Sequence, residues 1–320
     1  MSGTAYLVCD YCYRHCRLKD KEVGFCGVRE RSRDVIFTHN YGGLVAIAVD
    51  PVEKKPLYHF LPGTNTLSIA MFGCNLTCSF CQNYAISQKS WDSSAQRTYY
   101  TAREVVDLAR EKQCPSISFT YSEPLVWQDY MIEVATLAKQ EGLKTIMVSN
   151  GTFSEEALQR INPCIDAFNI DIKGDDAFYH GYCGGSGRPV WKALEQIAQS
   201  KAHLEVTTMV MEGVHTIEMI TSMANNLFSA GILVWHLSRY FPRYQEQRHE
   251  TSEQYLEAVV KEVRSSHIPY VYPGNSSLDQ NTYCPQCKAL LIRRAWAFHD
   301  SSIDQSHCPV CGHHIYGTWL

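Results

Sequence analysis

Residues 73–83 read Gly73-Cys74-Asn75-Leu76-Thr77-Cys78-Ser79-Phe80-Cys81-Gln82-Asn83, and this stretch determines how the rest of the chain is interpreted. Its three cysteines are separated by three and two residues and follow an apolar run that ends at Phe72. A structural zinc ion or a fully ligated four-iron cluster takes four protein ligands. Three thiolates leave one coordination position to another molecule, and such a site can perform chemistry.

The composition is that of an ordinary soluble globular protein. The 320 residues are 45% hydrophobic and 19% charged, and the net charge is −4. This weak charge gives no indication of binding to nucleic acid or to an anionic membrane. Residues 1–8 lack the basic start of a signal peptide, and no apolar run reaches the ~18 residues of a membrane span. We expect a cytoplasmic protein.

The cysteines divide the chain into three parts. Eleven of the fourteen fall in tight groups, which in a cytoplasmic protein indicates reduced thiols that bind metal. We predict an N-terminal four-cysteine module over residues 1–60, a core over residues 61–277 and a C-terminal four-cysteine module over residues 278–320.

The two flanking modules have different spacings. The C-terminal one contains two Cys-Pro-X-Cys turns separated by twenty residues, a pattern that favours a zinc ribbon, with a rubredoxin-like iron site as the alternative. The N-terminal pattern has gaps of two, three and nine residues and fits zinc or an auxiliary iron–sulfur cluster equally well. The predicted ligands are Cys9, Cys12, Cys16 and Cys26 in the first module and Cys284, Cys287, Cys308 and Cys311 in the second.

The core alternates short apolar segments with helical patterns. A capping box at Thr101–Glu104 begins one predicted helix, Pro124 begins another and Ser252 lies at the start of a third. Strand–helix repetition predicts right-handed βαβ units and a parallel sheet of the α/β class, with too few units for an eight-fold barrel. The predicted strands are Thr66–Phe72, Ser116–Tyr121, Lys144–Ser149, Asp166–Ile172, His203–Val210, Ile232–Leu237 and Ile268–Tyr272.

Polar motifs follow several of these strands. In parallel α/β folds the ligand binds at the carboxyl ends of the strands, so we expect these residues to lie close together. Asp171 and Lys173 are two residues apart on one strand and should share a face. The candidates are Ser122, Glu123, Ser149, Asn150, Asp171, Lys173, His236 and Asn275.

The cysteine spacing, with Phe80 directly before the last cysteine, resembles the signature loop of the radical S-adenosylmethionine (SAM) enzymes. The resemblance implies that Cys74, Cys78 and Cys81 hold a [4Fe–4S] cluster and that the amino and carboxylate groups of SAM bind its fourth iron. It also implies that the sheet curls into a partial (β/α)6 barrel. The polar residues above, together with Phe80, would then contact SAM.

Two motifs narrow the resemblance. Asp171-Ile172-Lys173 and His236 resemble the SAM-contacting residues of the glycyl-radical activases, such as the pyruvate formate-lyase activating enzyme. In the superfamily a Gly-Gly-Glu-like motif meets the SAM amine after the second strand, and here Tyr121-Ser122-Glu123 occupies that place without the glycines. Val148 stands where the activases often have a cation-binding aspartate, so that cation site is not expected here.

Across nearly the whole chain the sequence is similar to the AmmeMemoRadiSam-type radical SAM proteins. The run 50–60, the loop Gly73–Asn83, the run Phe119–Pro124 and the flanking cysteine modules carry this resemblance. It implies Memo-like and AMMECR-type protein partners.

The leading hypothesis is an enzyme that reductively cleaves SAM to a 5′-deoxyadenosyl radical, which abstracts hydrogen from a small-molecule or protein substrate. A low-potential donor such as a flavodoxin or ferredoxin would supply the electron. One alternative is an activase that installs a glycyl radical on a partner enzyme. A second is a non-catalytic iron–sulfur or zinc protein for binding or electron transfer.

Overall fold

A computed structural model describes residues 6–88, 98–295 and 298–319. The strands in this part of the chain are short, as is usual for an α/β protein. They are β1 (Leu7–Val8), β2 (Arg17–Leu18), β3 (Arg29–Ser32), β4 (Val35–Thr38), β5 (Leu44–Pro51), β6 (Asn65–Met71), β7 (Ser116–Phe119), β8 (Lys144–Ser149), β9 (Ala167–Asp171), β10 (His203–Val210), β11 (Val234–Arg239), β12 (Tyr270–Gly274), β13 (Thr282–Tyr283), β14 (Leu290–Ala295) and β15 (Phe298–Ser301).

Most helices lie between the strands of the core. They are α1 (Tyr84–Ser87), α2 (Ala102–Glu111), α3 (Gln128–Gln140), α4 (Glu155–Ile161), α5 (Asp176–Phe178), α6 (Arg188–Ala198), α7 (Ile217–Ser229) and α8 (Glu253–Arg264). Short 3-10 turns span Val52–Lys54, Pro124–Trp127 and Asn162–Cys164, and one π-helical turn spans Tyr179–Cys183.

The central sheet has eight strands in the order β12-β11-β10-β9-β8-β7-β6-β5. Strands β6 to β12 are mutually parallel, and β5 pairs antiparallel with β6 at one edge. Six strand–helix units are followed by the last parallel strand, which confirms the predicted α/β class. Residues after the first and last parallel strands, Cys74 and Asn275, line the same cavity. The sheet therefore curves into a partial barrel.

Local signals explain where the helices begin. The Thr101 side chain accepts a hydrogen bond from the Glu104 amide and the Glu104 carboxylate accepts one from the Thr101 amide, so the predicted capping box caps α2. Ser252 caps α8 in the same way through Tyr255. At Pro124 the prediction needs a correction, because the proline begins a 3-10 turn and α3 starts only at Gln128.

The N-terminal boundary differs from the predicted module. Strand β5 lies within the segment 1–60 that was assigned to the cysteine-rich module, yet it pairs with β6 from Leu44 opposite Met71 to Pro51 opposite Asn65. The cysteine count could not reveal this, because pairing with a distant edge depends on the whole sheet. Before it, β1 pairs with β2 and β3 with β4 in two small antiparallel hairpins.

A buried carboxylate ties the barrel interior together. Glu205 on β10 accepts hydrogen bonds from the backbone amides of Tyr58 (3.0 Å) and His59 (2.7 Å). Its oxygens also contact His203 Nε2 at 2.9 Å and His236 Nε2 at 2.6 Å. Burial alone would raise the pKa of Glu205, but the two histidines outweigh it and hold the pKa well below its usual value. This network anchors the 56–60 segment inside the barrel.

The C-terminal module packs against the same region. Strands β13, β14 and β15 form a three-stranded antiparallel sheet. From this part of the chain, Arg294 donates to the carbonyl of Tyr58 at 2.8 Å, and the Tyr316 hydroxyl accepts from the backbone amide of Leu204 at 2.9 Å. Within the described ranges, no helix has both the length and the apolar character needed to cross a membrane.

Glu205→Ala should lower the free energy of unfolding by about 3–5 kcal/mol, because it leaves buried imidazoles and two backbone amides without their acceptor. The measurement is urea unfolding followed by far-UV circular dichroism. The matched control is Glu195→Ala on the exposed surface of α6, where we expect a change of no more than about 0.5 kcal/mol. Equal stability of the two variants would contradict the role given to Glu205.

Candidate functional site

The three-cysteine loop follows β6 directly and is held from both sides. Gly73 has a φ of +112°, and a Cβ atom there would lie 2.9 Å from the side chain of Val28, so the turn requires glycine. The Thr77 amide donates to the carbonyl of Cys183 and the Ser79 amide to that of Tyr182, both at 2.9 Å. These contacts fix the loop without using the cysteine side chains.

The three thiols open onto a cavity of about 440 Å³ at the carboxyl ends of the parallel strands. This volume lies in the range of small-molecule sites. The cavity brings together all but one of the predicted cluster ligands and SAM contacts. Those that line it are Cys74, Cys78, Phe80, Cys81, Ser122, Glu123, Ser149, Asn150, Asp171, Lys173 and Asn275.

Glu123 is the most deeply buried acid of the cavity wall, at 2% exposure. Its carboxylate accepts hydrogen bonds from the Ser149 hydroxyl (2.7 Å) and from the backbone amides of Asn150 (2.8 Å) and Leu125 (3.0 Å). The bond from Leu125 caps the turn after Glu123, so the residue combines a structural role with a place in the cavity. Burial raises the pKa of Glu123 to about 7 in spite of these donors.

The turn after β8 connects the cavity wall to the cysteine loop. Asn150 donates through Nδ2 to the Asn75 side-chain oxygen at 2.9 Å, and Asn75 in turn donates to the Thr152 hydroxyl at 2.8 Å. Gly151 has a φ of +72°, and a Cβ there would lie 2.7 Å from Ile170. The Asn-Gly pair is therefore needed for this turn, and its asparagine also supports the loop that carries Cys74.

Asp171 and Lys173 share one face at the end of β9, as their spacing predicts. Lys173 Nζ lies 2.8 Å from Asp171 Oδ2. Burial lowers the pKa of Lys173, but the charges of Asp171 and Cys78 outweigh it and raise the pKa well above its ordinary value. The pair places one fixed cation and one carboxylate beside Cys78.

His236 lies outside this cavity, unlike the other predicted contacts. It is buried on β11 and bound to Glu205, while Ser238, two residues later on the same strand, lines the cavity. Side chains two positions apart share a face of a strand, so His236 points into the barrel but one layer deeper. The sequence around His236 indicated the correct strand and the correct face of that strand. How deep the side chain lies in the barrel depends on the residue at which the strand begins.

Sequence reasoning assigned no role to Lys55, which lines the cavity opposite the cysteine loop. Its ammonium group lies 2.8 Å from Asp50 Oδ2, and the Tyr121 hydroxyl donates to the same carboxylate. Burial raises the pKa of Asp50, but these two donors outweigh it and lower the pKa below its usual range. The available signal was the run 50–60, in which both Asp50 and Lys55 occur.

Cys183 lies outside the three cysteine groups that the sequence indicates as metal ligands. The structure buries it beside the signature loop, where its carbonyl accepts a hydrogen bond from the Thr77 amide at 2.9 Å. The nearby Cys183 thiol lowers the pKa of Cys78. The two residues are 105 positions apart (183 − 78), so only the folded chain reveals the contact.

The C-terminal cysteines form a compact group. The four sulfur atoms of Cys284, Cys287, Cys308 and Cys311 all lie within 4.8 Å of one another. Sulfurs on a single tetrahedral ion with metal–sulfur bonds near 2.3 Å would be about 3.8 Å apart, so these thiols can bind one ion. Zinc and iron have the same ligand requirement here. The N-terminal cysteines line a separate small cavity.

Comparison with known proteins identifies the family. The chain matches the Radical SAM superfamily over residues 68–227, which include the three-cysteine loop and strands β7 to β10. This protein belongs to the radical SAM superfamily. The sequence is also 34% identical over 318 residues to MJ0808 of Methanocaldococcus jannaschii, an uncharacterized protein; the match covers 96% of this chain and 94% of MJ0808.

Other similarities are shorter or limited to the fold. A 7-carboxy-7-deazaguanine synthase of Methanothermobacter thermautotrophicus is 33% identical over 35% of this chain and 43% of its own length. MJ1227 of Methanocaldococcus jannaschii, provisionally named a glycyl-radical enzyme activating enzyme, is 28% identical over 33% of this chain and 42% of its own length. The structure of Streptococcus suis SuiB bound to S-adenosylmethionine has a TM-score of 0.53 at 12% identity, covering 71% of this chain and 53% of SuiB.

The radical SAM family implies a [4Fe–4S] cluster and SAM, and the cavity fits both groups. Three thiols share one wall, which matches a cluster that leaves one iron to SAM. The same cavity offers a carboxylate at Glu123 and a cation at Lys173 for the charged ends of a zwitterion. Cys74, Cys78 and Cys81 would hold the cluster.

Cys183→Ala should shift the midpoint potential of the cluster bound to Cys74, Cys78 and Cys81 to a more negative value. The Cys183 thiol lies near Cys78 and would donate a hydrogen bond to this ligand sulfur, which stabilises the reduced, more negative cluster; the variant removes that donor. The measurement is a redox titration followed by electron paramagnetic resonance. Cys114→Ala, which removes another buried thiol, should leave the potential unchanged. A Cys183 variant with the wild-type potential would contradict the proposed hydrogen bond.

Proposed function

We propose that this radical SAM enzyme reductively cleaves SAM and uses the resulting 5′-deoxyadenosyl radical to abstract hydrogen from a small-molecule or protein substrate. The single observation that carries this proposal is the opening of three thiols onto a cavity that also contains Glu123, Asp171 and Lys173. When bound, the cluster supplies the electron that breaks the sulfonium bond. The protein contributes binding, orientation and the exclusion of water.

The polar residues suggest how SAM is oriented. Glu123 would accept a hydrogen bond from the SAM amino group, because its buried carboxylate is otherwise bound only to neutral donors. Lys173 would face the SAM carboxylate, with Asp171 holding the lysine in place at 2.8 Å. Ser122, Ser149, Asn150 and Asn275 supply hydrogen-bonding groups for the ribose and the base. Phe80, which packs against Phe178, provides an apolar wall.

A second region of the cavity would receive the substrate. Lys55 comes from the 50–60 segment and Tyr121 follows β7, while Arg239 is the last residue of β11 and Phe241 comes two residues later. These groups are not among those proposed for SAM. Their mixture of cations, hydroxyl and aromatic ring would suit a polar substrate, which we propose to be a small molecule or a side chain of another protein.

Activation of a glycyl-radical enzyme is the second candidate function. The similarity to MJ1227 and the Asp171–Lys173 pair at the end of β9 favour it. A glycyl-radical signal in a reaction with a partner enzyme would support this alternative over the first. A purely non-catalytic role conflicts with membership of a superfamily of enzymes.

The partners of the reaction are also proposals. A low-potential flavodoxin or ferredoxin would deliver the electron. Memo-like and AMMECR-type proteins would act with this enzyme, as the AmmeMemoRadiSam-type resemblance of the run 50–60 implies. The proposed subtype can be tested by co-purification of such proteins with the tagged enzyme under anaerobic conditions.

Anaerobically reconstituted enzyme reduced with dithionite should form 5′-deoxyadenosine and methionine from SAM. The variants Cys74→Ala, Cys78→Ala and Cys81→Ala should lose this product to below detection, because each removes a cluster ligand. The measurement is liquid chromatography with mass spectrometry. Cys164→Ala, which removes a thiol outside the three groups, should retain the activity. Cleavage of SAM that persists in the three ligand variants would refute the proposal.

Glu123→Gln should weaken SAM binding about 10-fold to 100-fold, the cost of losing one charge-assisted hydrogen bond. The pKa of Glu123 near 7 adds a pH signature. The amino group of SAM needs the carboxylate form as its acceptor, so wild-type affinity should rise as the pH increases through 7 and level off about one pH unit above it. Equilibrium binding of SAM from pH 6 to pH 8 measures both effects.

The Gln variant should show no such rise, since an amide does not titrate in this range. Glu195→Gln on the exposed face of α6 is the matched control and should reproduce the wild-type profile. A pH-dependent rise that survives in Glu123→Gln would assign the titration to another group and would remove Glu123 from the SAM site.

A further inference from the structure

The four N-terminal cysteines converge on one site although they come from separate turns. Cys9, Cys12, Cys16 and Cys26 line a single small cavity between the N-terminal hairpins and the cysteine loop of the core. Cys9 and Cys12 are each only 7% exposed. The amide of Cys9 donates to the carbonyl of Cys16 at 2.9 Å, which holds the first two turns together. Four thiols gathered around one space form a complete ligand set.

The distances between the thiols distinguish a site for a single metal ion from a site for a four-iron cluster. Of the residues that the structure describes, the C-terminal cysteines are the group whose ligand atoms all lie within 4.8 Å of one another. The N-terminal set does not form such a group, and neither does the trio Cys74, Cys78 and Cys81 that the family assigns to a four-iron cluster. A cubane cluster places each thiolate on a different iron and needs ligands farther apart than a single ion does.

We propose that Cys9, Cys12, Cys16 and Cys26 bind a second [4Fe–4S] cluster, and that the C-terminal cysteines bind a single ion. Because the protein would ligate all four irons, this cluster has no open position for SAM. The proposal does not rest on the proposed reaction, because the metal content can be measured without any turnover.

The second cluster would adjoin the catalytic loop. Asn75, the residue directly after Cys74, lines the N-terminal cavity together with Cys12. Its carbonyl accepts a hydrogen bond from Arg14 Nε at 2.8 Å. One buried asparagine therefore lines the N-terminal cavity and belongs to the loop that carries the catalytic ligands.

The test is the metal and sulfide content of protein purified and reconstituted without air. Wild-type protein should contain about eight sulfides and about eight cluster irons per chain, together with one further zinc or iron ion at the C-terminal cysteines. The triple variant Cys74→Ala, Cys78→Ala, Cys81→Ala should retain about four irons and about four sulfides, together with a cluster signal after reduction. Adding Cys9→Ala and Cys12→Ala to the triple variant should remove these remaining cluster irons and sulfides.

Two controls separate loss of ligands from loss of fold. Cys114→Ala and Cys164→Ala in the triple variant should leave the remaining iron and sulfide unchanged. The C-terminal ion should persist in every variant that folds, and far-UV circular dichroism checks the fold. A triple variant without sulfide that holds about two zinc ions would overturn the proposal, as would wild-type protein with about four irons and about two zinc ions.

Discussion

The site depends on one constraint, which is that parallel strands bring all their carboxyl ends to the same edge of the sheet. The cysteine loop follows the first parallel strand and Asn275 the last, 201 positions after Cys74 (275 − 74), yet both line one cavity. The motifs between them line the same cavity because each of them follows a strand that runs in the same direction as its neighbours. No single segment forms the site, and a change in strand direction would disperse it.

The charges around the cavity are arranged in two different ways. Asp171 with Lys173 and Asp50 with Lys55 are ion pairs, and in each pair the lysine Nζ lies 2.8 Å from the aspartate Oδ2. Glu123 is held instead by a hydroxyl and two backbone amides, all of them neutral. A buried carboxylate with neutral donors keeps the capacity to bind a cation, whereas a paired carboxylate has largely used it. This difference explains why Glu123 suits the amino group of SAM and why the pairs serve mainly to position their lysines.

Predictions from the sequence succeeded where a local pattern carries the information. The capping box at Thr101, the strand of Lys144–Ser149 and the shared face of Asp171 and Lys173 all depend on residues close in the chain. Predictions from the sequence failed where the outcome depends on residues that are distant in the chain. Strand β5 joins the core sheet, His236 lies one layer below the cavity and Cys183 meets Cys78, and each result follows from packing between segments far apart in sequence.

The sequence by itself determined the α/β class, the membership of the three cysteines in one loop and the polar character of the strand ends, because periodicity and short spacings are local properties. Only the tertiary structure decided how deep each side chain lies and how far apart the thiols of each group stand. Those quantities depend on how the strands and hairpins pack against one another. The C-terminal thiols all lie within 4.8 Å of one another and the N-terminal thiols do not, and the sequence spacings alone could not show this, since the separation of sulfur atoms is set by the backbone that surrounds them.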